Sequence, residues 1–515
     1  MIRPRLTRLA TASMLALAAA CGLRAAEARA PSAEPPAPGD VVGSGAARLL
    51  SASALGGAGD DEVVAVGIAP DWSVLVAGNC VDLPLAGVPD TLIGPAGTRV
   101  DPPPADPKVK GRPSPSSHGY ILRLASDGRK ALALTRFGYG VATIQQLRSD
   151  DQGEVYIAGT NLAGASLGAG AAAAPGRFVA KLAPDLRSCA WLLPIDGLSD
   201  FAIDGNGDVV ALAGKALIRY AGASGKALWT ATWPTHGDNR PGAMTLASGS
   251  GIAAVVGYGM TKTGHEPYKD PYAYAFDRAG KQVWAAWNPD PTKECDAKFG
   301  GNGLMADTTG HAAATTSDGK LMLMLYADGG NTVCMRDPAD PFKPLDPAVL
   351  AGVHQAGAGY GFKGASKTSV ILRFDAASGR LEKGTWMSAW LNPQHANGLS
   401  IDGASGDARG TAVVGNSASG CPLKDPWYPF IEGTYRGGGF LALFDRGFAL
   451  QQCGYFAHSH LAAIAMRGDC IVVGGSVRPD GGPDGEKDPI KLHHAVQAKL
   501  GGDQDGYVVV LRREP

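Results

Sequence analysis

Four tripeptides of one type recur in this chain: Lys269-Asp270-Pro271, Arg336-Asp337-Pro338, Lys424-Asp425-Pro426 and Lys487-Asp488-Pro489. A set of carboxylates beside fixed cations can hold a divalent metal or an anionic ligand. Imidazoles near such carboxylates extend the ligand set, and His395 and His458 read as equivalent positions of neighbouring repeats, each just before a first strand, with His460 beside the second. On this reading the ligand-binding candidates are Asp270, Asp337, Asp425, Asp488, Lys424, His395, His458 and His460. No cofactor is identified, and a divalent metal is the occupant this set would suit. The competing reading is structural: each Asp caps its own turn while Pro restricts the residue before it. Both readings stay open at this point.

Other patterns carry less chemistry. Gly164-Ala-Ser-Leu-Gly168 matches G-x-S-x-G, but it lies in an Ala/Gly stretch with no strand-turn-helix to expose a nucleophile. Ser149-Asp-Asp-Gln-Gly153 is a polar turn, and Asp204-Gly-Asn-Gly-Asp208 lacks the spaced carboxylates and terminal Glu of a calcium loop. Beyond Cys21, seven cysteines show no CxxC, haem or zinc spacing. Disulfides are expected between Cys295 and Cys334 and between Cys453 and Cys470.

The elements that position these residues are short strands. The unit at 141–194 has four runs of period two, separated by polar or glycine-rich turns, and reads as an antiparallel meander. Its third strand recurs at 119–124, 177–182, 216–220, 272–276, 369–374, 440–444 and 506–511, and its second strand recurs equally often. Repetition of such a meander predicts an all-β fold, a seven-bladed β-propeller of four-stranded antiparallel blades. The last copy stops after its third strand, and 46–55 reads as an isolated fourth strand, so the ring is expected to close with a strand from the N-terminus. Tryptophan pairs at 229/233, 284/287 and 386/390 mark outer strands and are read as packing between blades. Long insertions at 85–118, 260–271, 326–368, 416–439 and 475–505 would emerge together, making that face, where all ten histidines also map, the expected recognition surface.

Composition sets the class. Apolar residues make up 45% and charged residues 18% of 515, with 72 glycines and 36 prolines, which fits a packed globule with many tight turns. A net charge of −1 without a basic stripe excludes a nucleic-acid binder. Arg3, Arg5 and Arg8 precede an apolar run, Leu9 to Ala20, and Ala26-Glu-Ala28 follows, so 1–28 reads as an export signal and 29–44 as a disordered tether before the propeller at 45–515. Leu17-Ala-Ala-Ala-Cys21 resembles a bacterial lipobox, with Ala18 where Leu is usual, and Cys21 is the lipidation candidate. No transmembrane helix is expected in the mature chain.

Leu55-Gly-Gly-Ala-Gly-Asp-Asp61, followed by a strand, Val76-Ala-Gly-Asn79 and Asp82-Leu-Pro84, resembles bacterial secreted proteins built from the β-propeller repeat known as SBBP. The likeness is best at 46–84 and 141–182. It implies the fold and no established reaction. The pattern G-x-x-x-W at Gly225 to Trp229 and Gly280 to Trp284, with a longer variant at Gly379 to Trp386, looks like PQQ-type propeller repeats, which makes a quinone oxidoreductase the leading enzymatic alternative, beside a hydrolase or lyase using the long loops. A binding or structural module of the cell envelope, monomeric and meeting a protein or glycan partner at the surface, is the principal expectation.

Overall fold

The computed structural model describes residues 45–94, 118–138, 142–150, 152–161, 175–204, 206–234, 240–247, 249–260, 269–287, 307–328, 333–350, 354–355, 367–392, 395–428, 437–478 and 490–514. The expectations for the leader, the tether, Cys21, Cys295 and Asp488 lie outside them. Residues 1–35 and 36–515 separate into two units, of which the second carries the fold. Apart from a three-residue 3₁₀ turn, Val333–Met335, every regular element among the described residues is a strand.

The strands form a β-propeller plan: sheets of four antiparallel strands, each a meander taken in chain order. The first and fourth strands of successive sheets are Glu62–Ile68 and Ala131–Phe137, Ala142–Ser149 and Cys189–Pro194, Leu198–Ile203 and Ala227–Thr232, and Arg240–Leu246 and Gln282–Ala286. Thr308–Thr315 and Leu381–Asn392, then Leu399–Asp407 and Leu450–Ala457, follow on the same plan. The last sheet begins at Ser459–Arg467 and takes Ala47–Leu55, from the other end of the chain, as its fourth strand.

Burial explains the sequence pattern. Middle strands such as Leu321–Asp328 (LMLMLYAD) are covered on both faces and read as continuous apolar runs. The core is accordingly divided into layers between neighbouring sheets: Leu75 and Ile121 meet Leu147 and Ile157, and Met324 and Ile371 meet Val413 and Phe440. Three tryptophans tie these layers at the rim, with Trp191 Nε1 donating to Gly222 O, Trp229 Nε1 to Arg278 O and Trp284 Nε1 to Ala376 O of the following sheet. Two glycines of the G-x-x-x-W pattern serve this contact. Gly280 and Gly379 have φ of 81° and 69°, and a Cβ on either would run into Trp229 or Trp284. The pattern is inter-sheet packing chemistry in this chain.

The insertions run differently from the expected free face. In four of the five, at 85–118, 326–368, 416–439 and 475–505, a described stretch turns back along the outer edge of its own sheet. Asp90–Ile93 pairs in parallel with Ala131–Phe137, and His354–Gln355 in parallel with Leu381–Asn392. Lys424 bridges Cys453, and His493 bridges Ala52. An outer strand presents a row of unpaired N–H and C=O groups, and these stretches of backbone satisfy part of it.

Candidate functional site: the open side of the first strands

The first strand of each sheet lies against the first strand of the next, and Glu62–Ile68 lies against Ser459–Arg467. Each of these strands also carries a β-bulge at the same place. The register shifts fall between Val63 and Ala65, Ile144 and Gln146, Leu198 and Asp200, Pro241 and Ala243, Gly310 and Ala312, Ile401 and Gly403, and Leu461 and Ala463. A bulge adds one residue and re-aims its side chain. The added residues are Val64, Gln145, Ser199, Gly242, His311, Asp402 and Ala462, each exposed or half-buried, while most of their immediate neighbours point into the apolar layers. Two residues earlier, Glu62, Thr143, Arg240, Thr309, Ser400 and His460 form a second accessible tier.

Hydrogen bonds from neighbouring sheets fix the bulges. Asn79 grips Ile144 with its amide, Nδ2 donating to Ile144 O at 2.9 Å and Oδ1 accepting from Ile144 N at 2.8 Å. Asn416 repeats this on Leu461, at 3.1 Å both ways. Ser369 Oγ donates to Leu399 O and accepts from Ile401 N, and Asp200 Oδ2 accepts from Met244 N. Asp402 Oδ2 in turn accepts from Asn416 Nδ2 at 2.6 Å, so one tier residue is held by the amide that fixes the next sheet. The first of these amides belongs to the Val76-Ala-Gly-Asn79 motif of the SBBP-like pattern, and Gly415-Asn416 is the same dipeptide in a later sheet.

The predicted residues divide. His460 is exposed on the first strand of the last sheet, in the accessible tier. His458 sits in the turn before that strand with φ of 60°, and its carbonyl accepts from Arg478 N. His395 begins a short strand that folds back on Leu381–Asn392, so His395 and His458 do not occupy equivalent positions. The tripeptides are not gathered into one set among the described residues. Asp270 is buried within the third strand of its sheet, opposite Gly259. Asp337 caps a turn by accepting from Ala339 N. Asp425 has φ of 44° and its carbonyl accepts from Gln452 Nε2, while Lys424 Nζ donates to Leu450 O. Among the described residues no three His, Cys, Asp or Glu side chains come together as a metal set. The Asp204 turn behaves as a hairpin: Oδ1 accepts from Asn206 N and Asp208 N, and Arg219 pairs with both carboxylates.

A thiol–imidazole contact not expected from the sequence joins Cys80 Sγ to His118 Nε2 at 3.5 Å, both groups buried. Burial, aided by Arg136, lowers the His118 pKa to about 4, and burial, reinforced by Asp61 and Asp82, raises the Cys80 thiol well above its ordinary value. Both are thereby neutral, and the pair has neither the thiolate nor the access of a catalytic dyad. Of the expected disulfides, Cys295–Cys334 falls partly outside the described residues, with Cys334 buried, whereas Cys453 faces Cys421 rather than Cys470, because the stretch carrying Cys421 lies along the outer strand that carries Cys453.

No family model matches the chain, and no curated protein matches it. Solved structures similar to it include a protein of unknown function from Dyadobacter fermentans (10% identity, 91% of this chain and 100% of that one, TM-score 0.41). Others are the β-propeller domain of the Trilobed protease from Pyrococcus furiosus (8%, 81% and 91%, TM-score 0.40) and the Neurospora crassa Pan2 WD40 domain (11%, 73% and 90%, TM-score 0.36). At such distances these likenesses carry no argument about the site, which rests on the strands themselves.

Proposed function

We propose that the chain is an exported, SBBP-like, seven-bladed β-propeller, closed by its N-terminal strand, that serves as a monomeric binding or structural module of the bacterial cell envelope. Ring closure is supported by the fourth strand that Ala47–Leu55 lends to the last sheet and by the contact of Glu62–Ile68 with Ser459–Arg467. In a closed ring the open side of the first strands faces the axis, and its mouth opens on the side from which the insertions depart. Export is supported by the leader pattern of 1–28, with lipidation at Cys21 as its variant. The mass of the mature N-terminal peptide distinguishes cleavage after Ala28, acylation at Cys21 and no export.

The single observation that carries a binding role is the bulge common to all these first strands. It brings chemically unlike residues, Gln145, Ser199, His311 and Asp402, to equivalent places around one line. With Glu62, Arg240 and His460 beside them, neither sign of charge dominates. That surface suits hydrogen-bonded recognition of a polar partner, a glycan or a protein loop, rather than capture of a polyanion. The test is binding of the full chain to glycan and peptide arrays. His460→Ala and Gln145→Ala should each weaken the strongest hit about tenfold, or ~1.4 kcal/mol, with an unchanged melting temperature. Undiminished binding by the double variant places the site elsewhere.

A further inference from the structure

We propose that Cys421 and Cys453 close a disulfide that fastens the covering stretch 421–428 to the outer strand beneath it. Their sulfurs lie 3.7 Å apart, and both residues are buried, Cys453 completely. An S–S bond of about 2.05 Å asks the sulfurs to approach by roughly 1.7 Å. The backbone already holds them in place, since Lys424 N donates to Cys453 O at 3.0 Å and Cys453 N to Lys424 O at 2.7 Å. Tyr455 adds a third anchor, its hydroxyl accepting from Cys421 N and donating to Ser417 Oγ. Among the described residues no third His, Cys, Asp or Glu side chain joins the pair.

The bond would fix more than a loop. Trp427, on the same stretch, donates to Ala47 O, and Gln452, beside Cys453, accepts from Ala47 N and donates to Asp425 O. The disulfide would therefore secure the clasp that holds the N-terminal strand. The reaction is thiol–disulfide exchange with a small-molecule or protein disulfide as oxidant. One cysteine thiolate attacks the oxidant's disulfide and expels a thiolate. The second cysteine thiolate then attacks the mixed disulfide and expels the other. Two S–H bonds and one S–S bond are exchanged for one S–S and two S–H, and the oxidant leaves as two thiols. Burial raises the Cys421 thiol pKa, so exchange belongs to folding or to local opening rather than to the closed state.

The experiment is refolding of the full chain in a glutathione redox buffer, then denaturation in iodoacetamide and peptide mapping without reductant. The expected product is a cross-linked peptide pair containing Cys421 and Cys453, with Cys80, Cys189 and Cys470 alkylated. Recovery of Cys421 and Cys453 as alkylated monomers, or a Cys453–Cys470 peptide, overturns the assignment. Dithiothreitol should also lower the melting temperature of the native sequence by several degrees and leave that of the Cys421→Ala, Cys453→Ala variant unmoved. Equal sensitivity of the two argues against the bond, and if the variant does not fold the peptide map alone decides.

Discussion

Asp61 and Asp505 show how one residue type can serve as a fastening rather than a site. Asp61 ends the Leu55 to Asp61 segment, where its carboxylate accepts from Gly57 N and Val81 N, while Asp505 accepts from Gly501 N. Gly56 passes between them, and a Cβ there would sit 2.5 Å from an oxygen of each. Only glycine fits, which gives the Leu-Gly-Gly pattern its physical meaning. Burial, reinforced by Asp505 and Asp60, raises the Asp61 pKa to about 7, and burial also raises that of Asp505. Glu62, Cys80, Asp82 and Tyr120 are the other titratable neighbours. Because the folded value exceeds the ordinary value near 4, the folded state keeps a proton that the unfolded chain releases. Stability from this group is full below about pH 4 and is lost as pH rises toward 7. Asp505→Asn offers an amide donor to the Asp61 carboxylate and should flatten this slope. Melting temperatures between pH 4.5 and 8 check it, and identical slopes in both proteins would count against the buried pair.

At the scale of elements, the stretch 421–428 separates a clasp from a ligand loop. Trp427 is almost wholly buried, stacks on Phe456 with ring centroids 5.7 Å apart, and hydrogen-bonds Ala47 O. Trp427→Ala should cost about 3–5 kcal/mol, read from the urea midpoint, and should expose the N-terminal strand to protease. A change under 1 kcal/mol would mean the stretch is not part of the fold's closure. Much of this level was legible in the sequence. Period-two runs and glycine turns marked the strands, and the paired tryptophans marked the outer ones. The bulges were not, because one added residue such as Gln145 looks like an interruption of alternation and gives no sign of recurring in space. The course of the insertions was also hidden: their backbone, not their side chains, pairs with the outer strands, and backbone pairing has no sequence signature. The thiol partner of Cys453 was misread for the same reason, since it follows from where 421–428 runs.

At the scale of the molecule, the two ends of the chain meet in one sheet. Ala47–Leu55 pairs along almost its full length with Asp505–Arg513, and Ser53 Oγ accepts from Val496 N on the covering stretch outside it. Leu49, Leu50 and Leu55 are buried by this docking. At about 1.5–3 kcal/mol for each buried leucine, the strand contributes on the order of 5 kcal/mol or more, comparable with the whole net stability of a domain. Deleting residues 45–56 would remove that burial and bare the edge at Tyr507 to Leu511, a template for pairing with other copies. The expected outcome is aggregation or a marked fall in melting temperature, whereas deletion of 22–40 should cause neither. Light scattering during a thermal ramp measures both effects together. If the protein lacking 45–56 melts like the full chain and stays monodisperse, the N-terminal strand does not close the ring.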